Sequence, residues 1–242
     1  MSVIVKSASI GSNIVTDGLV IMLDAGNVKS YPGSGLVWYD LSGNENNGTL
    51  DNVIYDGDMN FDGTGTVDGV TPGSNVIINE NITNTSNYSN GCTYNIWFNV
   101  NNSAVNRMSL FYGANTIRHI ELYSSNKYFR TEAALQNGYS FGSGVFTDNV
   151  RNQWSNISIV FANNETNRPV RWYQNGKLFY TGSLDNGTYT GTEYFSFSRI
   201  GRSTGYAKSF HGKINLFSIY SKILTDNEIL QNYNVIKNRF GL

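Results

Sequence analysis

The sequence predicts an all-β fold, an antiparallel sandwich with one short helix near its C-terminal end. Only 14% of the 242 residues are charged, against about a quarter in an average soluble chain. Asparagine, serine, threonine, glycine and tyrosine supply the polar groups instead, a composition typical of strands and turns. Apolar residues recur in short runs or in alternation, which is the period of a strand, and a helical period occurs only near the C-terminus.

The first strand is predicted at residues 18–25, a nearly continuous apolar run that is typical of a buried strand. Residues 1–17 precede it as a leading strand or as an arm that docks on a partner, and the sequence leaves both open. No clean linker or internal repeat divides residues 18–242, so we expect one domain.

A turn-rich passage follows the first strand, over residues 26–48. In it Asp40 and Asn44 are placed to form Asx-turns with nearby backbone. Trp38 and Leu41 are expected to anchor this loop to the core.

The middle of the chain alternates as strands do. In residues 92–100 every second side chain from Cys92 to Val100 is apolar and shares one face, and Trp97 lies on the other face. Further strands are predicted at residues 59–63, 107–113, 116–124, 127–133, 154–162 and 193–201. Asn175-Gly176 lies between two β-rich runs and predicts a hairpin with a type I′ turn.

Residues 213–220 predict a central strand, because apolar side chains occur on both faces. Simple alternation places Ile214 and Leu216 on one face and Phe217 and Ile219 on the other.

A short helix follows this strand. Thr225 and Glu228 form the pattern of a capping box, and Leu224 with Ile229 that of a hydrophobic staple. The predicted apolar stripe of the helix consists of Ile229, Leu230, Tyr233 and Ile236. Lys237 and Arg239 favour the C-terminal end of the helix dipole, and Gly241 suits the exit from the helix.

The charge and cysteine content argue against nucleic-acid-binding, membrane-binding and disulfide-stabilised proteins. A formal net charge of -1 gives no reason to expect nucleic-acid or anionic-membrane binding. The single cysteine, Cys92, rules out an internal disulfide and is expected to be buried. We expect no signal peptide in the first residues, because no basic start precedes a long apolar run, and no apolar stretch is long enough to span a bilayer.

Motifs in both halves of the chain are typical of one known family. They are Val20-Ile-Met-Leu-Asp-Ala-Gly-Asn, Trp38-Tyr-Asp-Leu-Ser-Gly-Asn, Phe61-Asp-Gly, Trp154, Tyr173-Gln-Asn-Gly-Lys-Leu, Arg199-Ile-Gly-Arg, Phe210-His-Gly-Lys-Ile-Asn-Leu-Phe-Ser-Ile-Tyr and Leu224-Thr-Asp-Asn-Glu-Ile-Leu. In this order they resemble a laminin-G-like domain of the concanavalin A-like lectin/glucanase superfamily, over residues 18–242. The resemblance implies a jelly-roll sandwich of two antiparallel sheets, but a shared fold does not fix a ligand.

Hydrolysis is not expected from the pattern of acidic residues. Retaining glucanases need two carboxylates about 5 Å apart, and glucanases of this fold place them at alternating positions of one strand. Here Glu121 and Glu132 stand alone in their strands, and no strand carries such a motif. His119 and His211 have no recognisable nucleophile beside them, so we expect no catalytic residues.

Calcium is the one cofactor that the resemblance implies, because laminin-G-like domains often hold one Ca²⁺ in their loops. Asp40, Asn44 and Asn47 are the first candidate ligands, and Asp56, Asp58 and Asp62 are alternatives. The competing interpretation is that Asp40 and Asn44 only cap turns.

Glycan binding needs aromatic faces and planar polar groups. Trp97 and Trp154 are expected in the core. The candidates for an open sheet face or a loop rim are Trp172, Tyr206, Tyr112, Tyr123 and Arg118.

Three functional hypotheses remain open. Residues 231–242 are similar to versions in virion proteins of tailed phages, which favours a non-enzymatic virion protein that binds a host glycan or another virion protein. The second hypothesis is an architectural capsid or tail module docked by its N-terminal arm, and the third is a glucanase. Self-association into a homo-oligomer is compatible with each of them.

Overall fold

The computed structural model describes residues 14–64, 73–78, 82, 91–101, 107–112, 117–125, 128–135, 140–141, 149–162, 165–167, 169–183, 198–202 and 209–242. Two antiparallel sheets face each other across one hydrophobic core, which confirms the predicted sandwich. The predicted arm at residues 1–17 lies largely outside the described residues.

Sheet A contains eight of the described strands. Numbered along the chain they are β1 (Leu19–Asp24), β4 (Ile54–Tyr55), β5 (Met59–Asp62), β7 (Cys92–Val100), β12 (Trp154–Phe161), β13 (Pro169–Gln174), β14 (Lys177–Ser183) and β16 (His211–Tyr220). Their order is β14-β13-β12-β7-β16-β5-β4, and β1 pairs with the second half of β16.

Sheet B contains the other eight. They are β2 (Val37–Trp38), β3 (Gly48–Asp51), β6 (Asn75–Ile78), β8 (Arg107–Tyr112), β9 (Ile117–Ser125), β10 (Tyr128–Leu135), β11 (Ser140–Phe141) and β15 (Arg199–Ile200). Their order is β11-β10-β9-β8-β15-β6-β3-β2. Leu110 and Leu122 of this sheet pack into the core with Ile96 and Phe98 of sheet A.

The outer face of sheet A, turned away from sheet B, is also covered. Helix α1 (Asp226–Ile236) and a 3-10 helix (Lys237–Phe240) lie there over two smaller apolar clusters. Trp97 belongs to one of these clusters, whereas its neighbours Ile96 and Phe98 point into the main core, as the alternation predicts. None of the helices in the described segments is long and apolar enough to cross a membrane.

The central position of β16 is confirmed, but its predicted alternation is wrong. A register shift falls between Ile214 and Leu216, where β16 pairs with β7. The bulge moves Ile214 into the main core with Phe217 and Ile219, while Leu216 packs beneath the helix. Because a bulge adds one residue, it exchanges the faces of every residue on one side of it.

The predicted hairpin is present between β13 and β14. Asn175 and Gly176 both have positive φ, 51° and 76°, as a type I′ turn requires. The turn pairs Gln174 with Lys177.

The signals for the start of α1 are confirmed. Thr225 Oγ1 accepts a hydrogen bond from Glu228 N at 3.3 Å, and Thr225 N donates to Glu228 Oε2 at 2.8 Å. Leu224 and Ile229 share one apolar cluster, as a staple requires. The predicted stripe is wrong at Leu230, which is exposed, and Asn232 is buried in its place.

Asn232 ties α1 both to the sheet and to the start of the described chain. Its amide donates to the Tyr220 hydroxyl at 3.0 Å, and its oxygen accepts from Val15 N at 2.9 Å. Tyr173 adds a second link by donating to Asp226 Oδ1 at 2.6 Å. Burial, reinforced at Tyr173 by Asp226, raises the pKa of both phenols, that of Tyr220 to about 12, so both remain neutral donors or acceptors at physiological pH.

The capping box gives the first prediction. Thr225→Ala removes the side-chain acceptor for Glu228 N, and we expect a loss of about 1 kcal/mol in the free energy of unfolding. Urea denaturation measures it. Thr225→Ser keeps the hydroxyl, and serine is at least as good an N-cap, so the free energy of unfolding should stay within about 0.5 kcal/mol of the wild type. Equal losses for the two variants would show that the cap contributes nothing.

The same box predicts a pH dependence. Burial alone would raise the pKa of Glu228, but hydrogen bonds from Lys222 and Thr225 outweigh it and lower that pKa. Because the pKa of Glu228 is lower in the folded state than in the unfolded state, where it is about 4.3, ionised Glu228 stabilises the fold above that pH. The stabilisation is lost as the pH falls through the folded-state pKa. The stability difference between wild type and Glu228→Gln should therefore shrink below about pH 4.

Candidate functional site

A cavity of about 380 Å³ opens where the C-terminal segment meets the outer face of sheet A. Four parts of the chain meet there: the end of β1, the turn before β5, the start of β12 and the middle of β16. The cavity is lined by Gly26, Gly57, Asp58, Trp154, Asn215, Arg239 and Phe240.

An ion pair between buried Asp24 and partly exposed Arg239 holds the guanidinium that lines this cavity. The Asp24 side chain is only 4% exposed, and its two oxygens accept from Arg239 Nη1 at 2.5 Å and from Nη2 at 3.0 Å. Asp24 Oδ1 also accepts from Gly26 N at 2.9 Å. Such a two-point pair fixes the plane of the guanidinium, and the orientation of Arg239 is therefore set before any ligand binds.

Gly26 is required for this contact. A Cβ at this position would lie 2.7 Å from Arg239 Nη1, closer than real side chains approach. A side chain at position 26, two residues after Asp24, would therefore displace the guanidinium from the carboxylate.

Asn215 extends the network toward solvent. Its side-chain oxygen accepts from Arg239 Nη1 at 2.7 Å, and its amide nitrogen donates to Asp58 Oδ1 at 2.6 Å. Lys213 lies beyond, with Nζ 3.7 Å from Asp58 Oδ2 and 2.9 Å from Asp56 Oδ2. Because Asn215 accepts on one side and donates on the other, its amide has one orientation.

A series of aromatic rings ends at this cavity, and its last two members, Phe240 and Trp154, line the wall. Tyr233, Trp97, Phe240 and Trp154 follow one another, with ring centroids 5.5 Å, 4.7 Å and 4.3 Å apart along the series. Trp97 is fully buried, and Trp154 at the end of the series is partly exposed. The prediction that Trp154 belongs to the core is therefore wrong, because the strand start that carries it reaches the cavity.

The arrangement combines an aromatic ring with fixed, planar hydrogen-bonding groups. The apolar wall can cover one face of a ligand while Asp58 accepts and Arg239 donates hydrogen bonds at its edge. Such a set of groups can bind a ligand that has one apolar face and hydroxyl groups at its edge.

The predicted glycan-binding residues that the structure describes belong to both sheets. Trp172 is 0% exposed and packs in the main core, so its prediction as a surface residue is wrong. Its strand, β13, has sheet neighbours on both sides, and the side chain points toward sheet B. Tyr206 lies outside the described residues.

The other three predicted residues belong to sheet B. Tyr112 in β8 pairs with His119 of β9, and Tyr123 in β9 pairs with Arg107 and Arg130. Arg118 lies in β9, one residue from His119. A role in binding for these three residues stays a prediction.

The backbone register also brings together two acidic residues that the sequence separates. Glu121 of β9 and Glu132 of β10 occupy directly opposite positions. The sequence search considered carboxylates along a single strand, and it therefore missed a pair formed across two strands. Ser109 of β8 is the partner of Glu121 on the other side.

The candidate calcium loop does not fit a metal ion. Asp40 Oδ1 accepts from the backbone N of Met22 and Ser42, at 2.8 Å and 2.9 Å. Its Oδ2 accepts from Ser42 Oγ at 2.6 Å and Asn46 N at 3.0 Å, so both oxygens are engaged. Ca²⁺ needs six to eight oxygens, and this carboxylate offers none that is free of a donor.

The two asparagines of the candidate set brace the same loop. Asn47 Oδ1 accepts from Asp40 N at 2.8 Å, and Asn44 Nδ2 donates to the carbonyls of Leu19 and Val20 at 3.1 Å and 3.0 Å. Together with Asp40 they fasten the loop along the outer edge of β1, and this supports the interpretation as turn-capping residues. Covering an edge in this way prevents pairing with other chains.

The alternative ligands are engaged as well. Lys213 binds Asp56 and Asp58, and Asp62 accepts from the backbone and hydroxyl of Thr64 at 2.9 Å and 2.7 Å. Within the described segments, no group of three or more His, Cys, Asp or Glu side chains is arranged to hold a metal ion.

Sequence reasoning missed Asn215 and Arg239 as site residues, and it considered Asp58 only as a metal ligand. Arg239 was assigned to the helix dipole, although its partner Asp24 is 215 positions away. One signal was present: an aspartate inside an apolar run needs a buried cationic partner, and the chain has few arginines to supply it.

The ion pair gives the second prediction. Arg239→Ala leaves Asp24 buried without its cation, and we expect a loss of about 3 kcal/mol in the free energy of unfolding. Lys213→Ala is the matched control, because its pair with Asp56 is largely exposed and should contribute less than about 1 kcal/mol. Chemical denaturation at low salt compares the two, and equal losses would contradict the assignment of Arg239 as the buried partner.

The fold resembles three solved structures of known proteins. Domain 4 of AbnA, an extracellular arabinanase from Geobacillus stearothermophilus solved with arabinotriose, has a TM-score of 0.62 and 17% identity, covering 89% of this chain and 98% of that domain. A Trypanosoma rangeli sialidase mutant with trans-sialidase activity has a TM-score of 0.66 and 14% identity, covering 95% of this chain and 34% of the sialidase. The binding domain of botulinum neurotoxin serotype D has a TM-score of 0.64 and 17% identity, and the match covers 91% of this chain and 52% of the toxin chain.

At these identities the likeness shows the fold alone. The chain spans about a third of the sialidase and about half of the toxin domain. No curated protein sequence matches the chain significantly.

A family model supplies the remaining comparison. The laminin G type of the concanavalin A-like lectin/glucanase superfamily matches residues 68–230, more than half of the chain and within the predicted range of 18–242. The chain therefore belongs to the concanavalin A-like lectin/glucanase superfamily.

Proposed function

We propose that the chain is a non-enzymatic carbohydrate-binding domain, and that the cavity between Trp154, Asp58 and Arg239 holds a saccharide. The observation that carries the proposal is the partly exposed Trp154 ring beside hydrogen-bonding groups whose orientations are already fixed. A sugar ring has an apolar face for the indole and hydroxyls at its edge for the polar groups.

The charges around the cavity favour a neutral saccharide. The network contains three carboxylates but only two cations. The carboxylates are those of Asp24, Asp56 and Asp58, and the cations are Lys213 and Arg239. The cations are already paired, so an anionic sugar would meet an excess of negative charge. A carboxylate such as Asp58 instead accepts hydrogen bonds from hydroxyl groups.

Related structures support the class of ligand without identifying it. The arabinanase domain was solved with arabinotriose, and the other two proteins are a sialidase and a toxin binding domain. The wider superfamily comprises lectins and glucanases.

A glycan array followed by isothermal titration calorimetry tests the proposal. We expect at least one neutral saccharide to bind, and Trp154→Ala to weaken it at least tenfold, which is about 1.4 kcal/mol. Asp58→Ala should weaken the same ligand because it removes an acceptor.

Tyr39→Ala is the matched control, since Tyr39 is an exposed aromatic residue that does not line the cavity. Circular dichroism verifies that each variant is folded. An array that stays at background, or unchanged affinity in folded Trp154→Ala protein, would refute the proposal.

Hydrolysis is the competing function, and the register of Glu121 opposite Glu132 defines its test. We expect wild-type protein to release no reducing ends from β-glucans, and Glu121→Gln and Glu132→Gln to behave in the same way. Release by the wild type that both substitutions abolish would assign a glucanase, since retaining enzymes need both carboxylates.

The setting that we propose for glycan binding is the surface of a tailed-phage virion. Its support is the similarity of residues 231–242 to segments of phage virion proteins. Mass spectrometry of purified particles tests it, with the chain expected among the virion proteins. Incorporation into particles without any saccharide binding would favour the architectural alternative.

A further inference from the structure

A second concave surface lies between the β13–β14 hairpin and helix α1, apart from the saccharide cavity. We name it the hairpin groove, and its volume is about 710 Å³. The hairpin groove is lined by Gln174, Asn175, Lys177, Leu178, Phe179, Leu230, Tyr233, Asn234 and Lys237.

Two leucines give the hairpin groove an exposed apolar surface. Leu178 is 48% exposed and Leu230 is 41% exposed. They belong to different elements, β14 and α1, and the hairpin turn brings these elements close: a Cβ on Gly176 would lie 3.1 Å from Leu230 Cδ1. An apolar strip that spans two packed elements offers contacts for side chains of a partner.

The charge of the hairpin groove has one sign. Lys177 and Lys237 line it, and no aspartate or glutamate does. Among the described residues, no carboxylate forms an ion pair with either lysine, whereas Lys213, Lys222, Arg171 and Arg239 all have such a partner. In a chain of net charge -1, this is a local basic surface that complements an acidic ligand.

The aromatic rings of the hairpin groove are not placed to hold a sugar. Tyr233 stacks on Trp97 with an interplanar angle of 2°, and Lys237 Nζ lies over the Tyr233 ring at 5.5 Å from its centroid. Phe179 packs against the main core. With Tyr233 covered in this way, the exposed apolar surface is aliphatic, which suits the side chains of a peptide.

Strand β14, which carries Lys177 and Leu178, forms one side of the hairpin groove. It ends sheet A, and in the described part of the chain it pairs only with β13. An extended segment can add to such an edge by backbone hydrogen bonds, while side-chain contacts supply specificity.

We propose that the hairpin groove binds an extended acidic peptide segment of a partner protein. Carboxylates of the segment pair with Lys177 and Lys237, and its apolar side chains cover Leu178 and Leu230. The ligand differs in both charge and chemistry from the neutral saccharide of the cavity.

Selection from a random peptide library tests the proposal, with the full chain immobilised. Peptides that combine aspartate or glutamate with leucine, isoleucine or valine should be enriched. Fluorescence anisotropy with one enriched peptide should show at least tenfold weaker binding to the Lys177→Glu/Lys237→Glu protein, and affinity that falls with added salt. Leu230→Ala should weaken binding several-fold.

Lys29→Glu is the matched control, because Lys29 is exposed and does not line the hairpin groove. Trp154→Ala should bind the peptide as wild type does, which separates this test from that of the saccharide cavity. Heparin serves as an anionic saccharide probe in the same assay.

Three outcomes would overturn the proposal. The first is a selection with no acidic enrichment. The second is peptide binding that the double charge reversal leaves unchanged. The third is heparin binding at the two lysines without any peptide binding, which would assign the hairpin groove to a polyanionic saccharide.

Discussion

The ion pair between buried Asp24 and Arg239 is the interaction on which the outer face of sheet A depends. Asp24 ends an otherwise apolar strand, on the same outer face as Met22, and a lone carboxylate at 4% exposure would be costly there. The partner comes from the far end of the chain, so the pair joins residues 215 positions apart. Satisfying one buried charge thus fixes where the last turn of the protein lies.

That position determines the rest of the layer. With Arg239 in place, Phe240 packs between Trp97 and Trp154, and the end of the ring series reaches the cavity. Helix α1 then covers the sheet through its cap and through Asn232, and it forms one side of the hairpin groove. Both candidate binding surfaces are consequences of a C-terminal segment laid across a sheet, and neither is part of the sandwich itself.

The sequence predicted those features that depend on local patterns. The capping box, the Asn175-Gly176 turn and the two faces of residues 92–100 are short-range signals, and the structure confirms them. The sequence could not predict features that depend on long-range pairing. The bulge in β16 exchanges two faces, Trp172 is buried by a neighbouring sheet, and the partners of Asp24 and Glu121 come from other strands or from the chain end. No spacing along the chain records which strands become neighbours.

Hydrogen–deuterium exchange of the Arg239→Ala protein tests the central claim most directly. If the ion pair holds the C-terminal segment, residues 226–240 and the turn around Asp58 should exchange faster than in the wild type and at labelling times at which β7 and β12 are still protected. Unchanged protection of residues 226–240, or exchange that begins at the same labelling time throughout the chain, would contradict the claim that this one pair positions the layer.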